Sequence, residues 1–241
     1  MGPAQATSDE LFAPACAPPP KTLNERAYQR KVAFTPPFVA ELIVFPISDT
    51  LVSITSVICQ SILRISVIRK TMKSLYLFLY YAILQYIPMQ PMPGYKIGYA
   101  LRRRCVKRIL GNRCGKKVVV KDHCYFGNGN RLTVGDNSQM GQNAKLLGTV
   151  TIGKDVLMGP DVVIMATSHG YEDTTIPIRM QPGWEKPIAI GDNVWIGTRV
   201  IILPGVQIGN NCIIGSGAVV THSFPDNSII GGVPAKLLKT R

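Results

Sequence analysis

Residues 190–221 read "IGDNVWIGTRVIILPGVQIGNNCIIGSGAVVT", and every sixth residue in them is aliphatic: Ile190, Ile196, Ile202, Ile208, Ile214 and Val220. Gly follows directly at 191, 197, 209 and 215. The same beat runs upstream through Val134, Met140, Leu146, Ile152, Met158 and Ile164, with Gly at 135, 141, 153 and 159. Neither a helix of period 3.6 nor an alternating strand produces a beat of six with this fidelity. It predicts a β-solenoid in which each repeat contacts only its neighbours. Six residues make one short strand and one corner, and three such units close a triangular coil. The aliphatic residue points inward and stacks on its equivalent about 4.8 Å away. The next residue sits at a tight corner where bulk or φ restriction is costly, which favours Gly. The inward stacks stabilise the prism by roughly 25 cal/mol per Å² of apolar surface buried. Residues 118–222 hold about four to five coils of such repeats.

The beat breaks once, in "VVIMATSHGYEDTTIPIRMQPGWEKPIAI" (162–190). Ile164 and Ile190 stand 26 positions apart, which is not a multiple of six, so the chain leaves the coil and returns in phase. Stacking does not explain such an excursion, and loops on rigid scaffolds are where function concentrates. The loop, 165–189, contains His169, one of only three histidines.

The formal net charge of +13 is local. Residues 1–71 hold seven Lys/Arg against five Asp/Glu, residues 118–241 hold ten against nine, and residues 72–117 hold ten against none. Two apolar runs, "LVSITSVICQSIL" (51–63) and "LYLFLYYAILQYIPM" (75–89), fall short of the roughly twenty residues that a spanning helix needs. The second precedes "KIGYALRRRCVKRIL", an apolar stretch beside a basic helix. That composition fits either contact with an anionic membrane surface or a cap that turns its charges to water; nucleic acid is the least favoured partner. The six cysteines show no CxxC pair and read as reduced thiols in a cytoplasmic protein, peripheral at the inner membrane if the basic segment touches lipid. Residues 1–20 are rich in Pro and Ala and are expected to be disordered. The expected division is a dispensable extension (1–71), a basic and apolar helical segment (72–117) starting at Met72, and a β-helix (118–241) with loop 165–189 and tail 222–241.

The stretches 190–221 and "IIGGVPAKLL" (229–238) resemble the left-handed β-helix acetyltransferases of the hexapeptide family, and residues 118–241 carry the resemblance. Galactoside, maltose and streptogramin O-acetyltransferases are similar. With "MKSLYLFLYY" (72–81), the chain looks closest to O-acetyltransferases of capsular and exopolysaccharide synthesis. The resemblance implies an all-β solenoid, a left-handed parallel β-helix with an N-terminal helical segment and one long loop. The hand comes from the resemblance alone, since parallel crossovers are otherwise right-handed.

It also implies a site. The family's catalytic histidine stands at the root of this loop, where "TSHGYED" places His169 as the base that takes a hydroxyl proton. Transfer is then direct from acetyl-CoA as co-substrate, without an acyl-enzyme and without a metal. Glu172 and Asp173 are candidates to orient the ring or the acceptor. Acetyl-CoA is expected in the groove between two prisms of a homotrimer. Thr198 would offer a backbone N–H to the developing oxyanion. Ser216 and Thr221 would line the pantetheine arm, and Lys236 and Lys239, commonly Arg in relatives, would meet the nucleotide phosphates. Trp195 matches a wall of the acceptor tunnel, Trp184 is a candidate cover for the acceptor or anchor for the loop, and Asn143 is a candidate acceptor contact. A family asparagine position is filled by Gly141, which argues against a small galactoside or maltose pocket. His222 stands where relatives often carry Lys, and His123 reads as a surface residue of the first coil. The related γ-class carbonic anhydrases need two histidines close together; here the three are 46 and 53 positions apart.

The leading expectation is O-acetylation of a saccharide, polymeric or lipid-linked. Antibiotic acetylation and a non-catalytic trimeric scaffold are the alternatives, and a scaffold gives no reason for His169 in the loop.

Overall fold

The computed structural model describes residues 49–87 and 91–241. Residues 1–20 lie outside the described residues. The chain divides into two compact units at Thr71/Met72. Helix α1 runs Asp49–Ala82 and α2 runs Tyr95–Leu110, and no helix among the described residues is long and apolar enough to cross a membrane.

From Val119 onward the chain winds as a three-faced parallel β-helix. Leu132–Val134, Val150–Ile152, Ile188–Ile190 and Gln207–Ile208 pair along one face. Leu157–Met158, Trp195–Ile196, Ile213–Ile214 and Ser228–Gly231 form the second. Lys145–Leu147, Val163–Met165, Ile201–Ile202 and Val219–Val220 form the third. Lys236–Thr240 closes the second face as an antiparallel edge strand. All twelve residues of the six-residue beat are buried, none more than 3% exposed. Each face also sends a second residue inward two positions earlier, as Leu132, Val150, Ile188 and Val206 do on the first. Ser138 falls in such a column and is fully buried; its Oγ donates to the Gly153 carbonyl (2.6 Å) and accepts the Val156 N–H (3.0 Å).

The corner chemistry differs from the expectation in one respect. Gly153, Gly191 and Gly209 do not carry the positive φ; Asn137, Asp155, Asn193 and Asn211 do, two positions after the corner glycine (φ 55–60°). The glycines are required by crowding: a Cβ on Gly153 would stand 2.5 Å from the Gly191 carbonyl oxygen of the next coil. Asn tolerates the left-handed region better than most residues, and its side chain is used here. Asn137 donates to Asp155 (2.9 Å) and Asn193 to Asn211 (2.9 Å), coil to coil.

Residues 72–117 cap the first coil. Arg102 is fully buried, with Nε donating to the Val120 carbonyl (2.9 Å) and Nη1 to those of Leu84 (3.1 Å) and Ile87 (2.7 Å). Tyr80 donates to the Cys124 carbonyl (2.8 Å), and its ring lies tilted against that of Phe126, with centroids 5.0 Å apart. Cys105, Cys114, Cys124 and Cys212 are free, buried thiols; burial raises all four, Cys105 to about 11. They are therefore protonated packing groups at neutral pH.

Candidate active site

The excursion is a two-stranded arm. Partner residues on the first face are offset by 18 positions (Val134↔Ile152) until the arm, by 38 across it (Ile152↔Ile190), and by 18 again after it (Ile190↔Ile208). The arm thus adds twenty residues to one coil without disturbing the stack. It leaves the third face after Met165 and opens as an antiparallel pair, Thr167–Ser168 against Trp184–Glu185, before rejoining the first face at Ile188.

His169 follows the first of these strands and is exposed. It lines a cleft of about 610 Å³ together with Met165, Thr167, Ser168, Trp184 and Glu185. Among the described residues, no hydrogen bond within the chain occupies its ring. Gly170 is needed beside it, because a Cβ there would lie 2.7 Å from the Pro182 carbonyl oxygen that accepts the Gly170 N–H (3.1 Å).

The arm's root is held by a residue that the sequence reading passed over. Glu185 accepts the Thr149 N–H of the preceding coil at 2.5 Å and pairs with Arg131. Those contacts, Thr149 foremost, hold its carboxyl below the usual carboxylate range. The arm's interior is clipped by Gln181, nearly buried, which donates to the carbonyls of Asp173 (2.7 Å) and Ile176 (3.3 Å) and accepts the Asp173 N–H (3.2 Å). Neither Glu172 nor Asp173, the expected orienting acids, lines the cleft. Glu172 is exposed, and Asp173 accepts from the N–H (2.8 Å) and hydroxyl (2.5 Å) of Thr175. The carboxylate lining the His169 cleft is Glu185. Its one sequence signal was its place five positions before the beat resumes at Ile190; Gln181 and Arg131 gave none. Trp184 lines the same cleft, with the Lys186 ammonium 5.3 Å from its ring centroid.

The other candidates lie outside that cleft, Thr221 at the corner between the third and first faces from which the arm also springs. Thr198 and Ser216 share the corner between the second and third faces on adjacent coils, and the Ser216 Oγ accepts the Thr198 N–H at 3.2 Å. Trp195, 53% exposed, projects from the second face in an outward column with Leu157, Ile213 and Ile229. Lys236 and Lys239 are exposed on that face's edge strand. Thr221 Oγ1 lies 3.2 Å from His222 Nδ1, and the His222 ring sits 4.4 Å from that of Phe224. Asn143 adopts φ 53° and donates to Asp161 (3.1 Å), taking part in a corner ladder. His123 packs edge-on against Tyr86 and lies 3.3 Å from Asp122. None of the residues proposed for the donor lines the His169 cleft.

The family model described as bacterial transferase hexapeptide (six repeats) matches residues 187–222. Galactoside O-acetyltransferase of Escherichia coli K12 is 36% identical over 127 residues, 52% of this chain and 62% of that protein. The chain therefore spans less than two thirds of that relative. A second protein of the same organism, provisionally named lipopolysaccharide biosynthesis O-acetyl transferase WbbJ, is 30% identical over 152 residues, 50% of this chain and 78% of that one. Among solved structures, a galactoside acetyltransferase in complex with coenzyme A superposes with a TM-score of 0.57 at 28% identity, covering 71% of this chain and 80% of that one. With the repeat matched, the solenoid shared and a relative covered over most of its length, the chain belongs to the hexapeptide-repeat acetyltransferases and has their left-handed parallel β-helix.

Proposed function

We propose that the chain is an acetyl-CoA-dependent O-acetyltransferase whose acceptor is a saccharide hydroxyl of a capsule, exopolysaccharide or lipid-linked intermediate. The observation that carries this reading is the His169 ring, exposed and unengaged in a cleft at the root of the one arm that interrupts the solenoid. A base in that state is free to accept a proton. The acceptor oxygen attacks the thioester carbon and gives its proton to His169. The C–S bond then breaks, and the proton passes to the departing thiolate, leaving an ester and a thiol. No acyl-enzyme is needed, and the described cysteines are buried and protonated.

The donor lies at a seam between protomers of a homotrimer. Support comes from the division of the candidates: His169 stands on one edge of the prism and Thr198, Ser216, Lys236 and Lys239 on others, so a second copy's edge has to meet the first to complete the site. The outward apolar column of Leu157, Trp195, Ile213 and Ile229 suits such a contact. The Thr198 N–H serves the oxyanion only once the Ser216 hydroxyl releases it, while Thr221 borders the pantetheine arm. Trp195, Glu172 and Asn143 are assigned to the acceptor side, Asn143 at the cost of its bond to Asp161. The catalytic unit begins at Met72, in keeping with the division at that residue, and the basic segment keeps it against an anionic membrane.

Thiol release from acetyl-CoA, measured across sugars, lipid-linked saccharides and streptogramins, tests the reading. With the acceptor found, His169→Ala lowers turnover by about 10²–10⁴. Wild-type turnover in that variant overturns the mechanism. Release with a streptogramin and no saccharide replaces the acceptor.

A further inference from the structure

A second cleft, of about 570 Å³, lies between α1, α2 and the start of the first coil. Its size is that of a ligand site. Its walls are apolar where Tyr76, Leu79, Leu84 and Leu101 line it. Cys105, at the same wall, is a neutral thiol that donates to the Tyr76 carbonyl (3.2 Å). The rim is cationic: Arg103, Arg104, Lys107, Arg108, Lys116 and Lys117 all border it. Lys107 is tied to the Cys114 carbonyl, while the other five make no side-chain hydrogen bond or ion pair among the described residues. Asp136 reaches the rim, where its Oδ1 accepts the backbone N–H of Lys116 (2.6 Å). No acid occurs anywhere in residues 72–117.

The apolar lining continues outward. Leu75 and Phe78, on the stripe of α1 that carries Leu79, are 56% and 68% exposed. On α2, Ile97, Leu101, Arg104 and Arg108 recur on one stripe, apolar at its start and basic at its end. A ligand that satisfies both parts has a hydrocarbon portion and an anionic head. A free phosphate or a nucleic-acid backbone would meet the rim and leave the apolar walls wet.

We infer that this cleft is a site for one anionic glycerophospholipid, with an acyl chain against Leu79, Leu84 and Leu101 and the phosphate between the arginines of α2 and Lys116 and Lys117. The exposed Leu75 and Phe78 enter the interface beside it, so the chain lies on the leaflet without spanning it. This gives the membrane contact proposed above a defined ligand.

Flotation of the full chain with vesicles tests it, using phosphatidylcholine alone and phosphatidylcholine mixed with phosphatidylglycerol. The chain floats with the mixed vesicles and not with phosphatidylcholine, and native mass spectrometry retains one phosphatidylglycerol per protomer. Each basic residue at an anionic surface contributes about fivefold to binding. R103E with R104E therefore weakens partitioning by about twenty-five-fold or more. Leu101→Asp, at an exposed position, weakens it as well, with circular dichroism unchanged. A control of the same charge change away from the cleft, K121E with K154E, keeps wild-type binding. Equal loss in the control, wild-type binding by Leu101→Asp, or equal flotation with phosphatidylcholine overturns the site. So does displacement from mixed vesicles by duplex DNA. Thiol release on a water-soluble acceptor, read in the same samples, is unchanged in R103E/R104E. Absence of thiol release from the wild type with every sugar, lipid-linked saccharide and streptogramin offered, lipid binding being intact, would sink the acetyltransferase reading and leave this one standing.

Discussion

Gly153 and Gly217 are both corner glycines, and they are glycines for different reasons. Gly153 has ordinary φ, but an added Cβ would lie 2.5 Å from the Gly191 carbonyl oxygen and 2.4 Å from Asp192 Oδ1. Gly217 has φ +72° and nothing within 4 Å of a Cβ. Replacement by Asn separates the two causes. Gly217→Asn is close to neutral, because Asn accepts the left-handed region with little penalty. Gly153→Asn forces two coils apart and lowers stability by about 1–3 kcal/mol or more, read as a lower midpoint in thermal unfolding. A six-residue beat locates such glycines but leaves their cause open, since the atom that forbids a side chain belongs to the next coil, 38 positions away. The same limit hid the role of Asn193 and Asn211, whose positive φ and mutual hydrogen bond appear only when one coil is laid on another.

The helical cap and the arm are each fastened by one ion that composition does not distinguish from its neighbours. In residues 72–117 the ten cations read as a single basic surface, yet Arg102 is fully buried and satisfies three carbonyls, while Arg103 and Arg104 beside it are exposed. Which face of α2 turns inward depends on what packs there, and the charge pattern alone is silent on that. Arg102→Met strands the carbonyls of Leu84, Ile87 and Val120, each at about 1–3 kcal/mol. It therefore detaches α2 before the solenoid melts, seen as early amide exchange confined to residues 95–110. For the arm, Glu185 sets the pH dependence. Its carboxyl is lowered by the Thr149 N–H first and by Arg131 after, so the folded arm favours the charged form. The stabilisation is then full above the ordinary carboxylate pKa and declines as pH falls through the lowered one. Exchange of the Thr149 N–H should accelerate in acid for the wild type beyond its intrinsic rate. In Glu185→Gln the protection is weaker and flat across that window.

The division of labour between prism and arm can be tested by surgery on the chain. The prism's coils stack through two inward columns on each of three faces, and each coil contacts only its neighbours, so one coil's extra residues need not propagate. The 18-position offset resumes unchanged at Ile190↔Ile208 after the 38-position step. That behaviour made the solenoid legible from the beat alone, and it made the arm's existence and the place of His169 legible as the one failure of phase. The arm's internal clip by Gln181 and its anchor at Glu185 obey no period and left no comparable trace. Removing residues 167–186 and joining Ala166 to Pro187 takes out the twenty added residues and brings Ile190 six positions after Ile164, as Ile208 follows Ile202. The junction loses the antiparallel pair Thr167–Ser168/Trp184–Glu185 and the Glu185 bond to Thr149, but no residue of the inward columns. The shortened chain is expected to keep the far-ultraviolet circular dichroism of a β-helix and a cooperative thermal transition near that of the wild type, while thiol release from acetyl-CoA falls to the uncatalysed rate. Unfolding of the shortened chain would mean that the arm is part of the prism's support. Retained turnover would place the chemistry elsewhere on the coil and remove His169 from it.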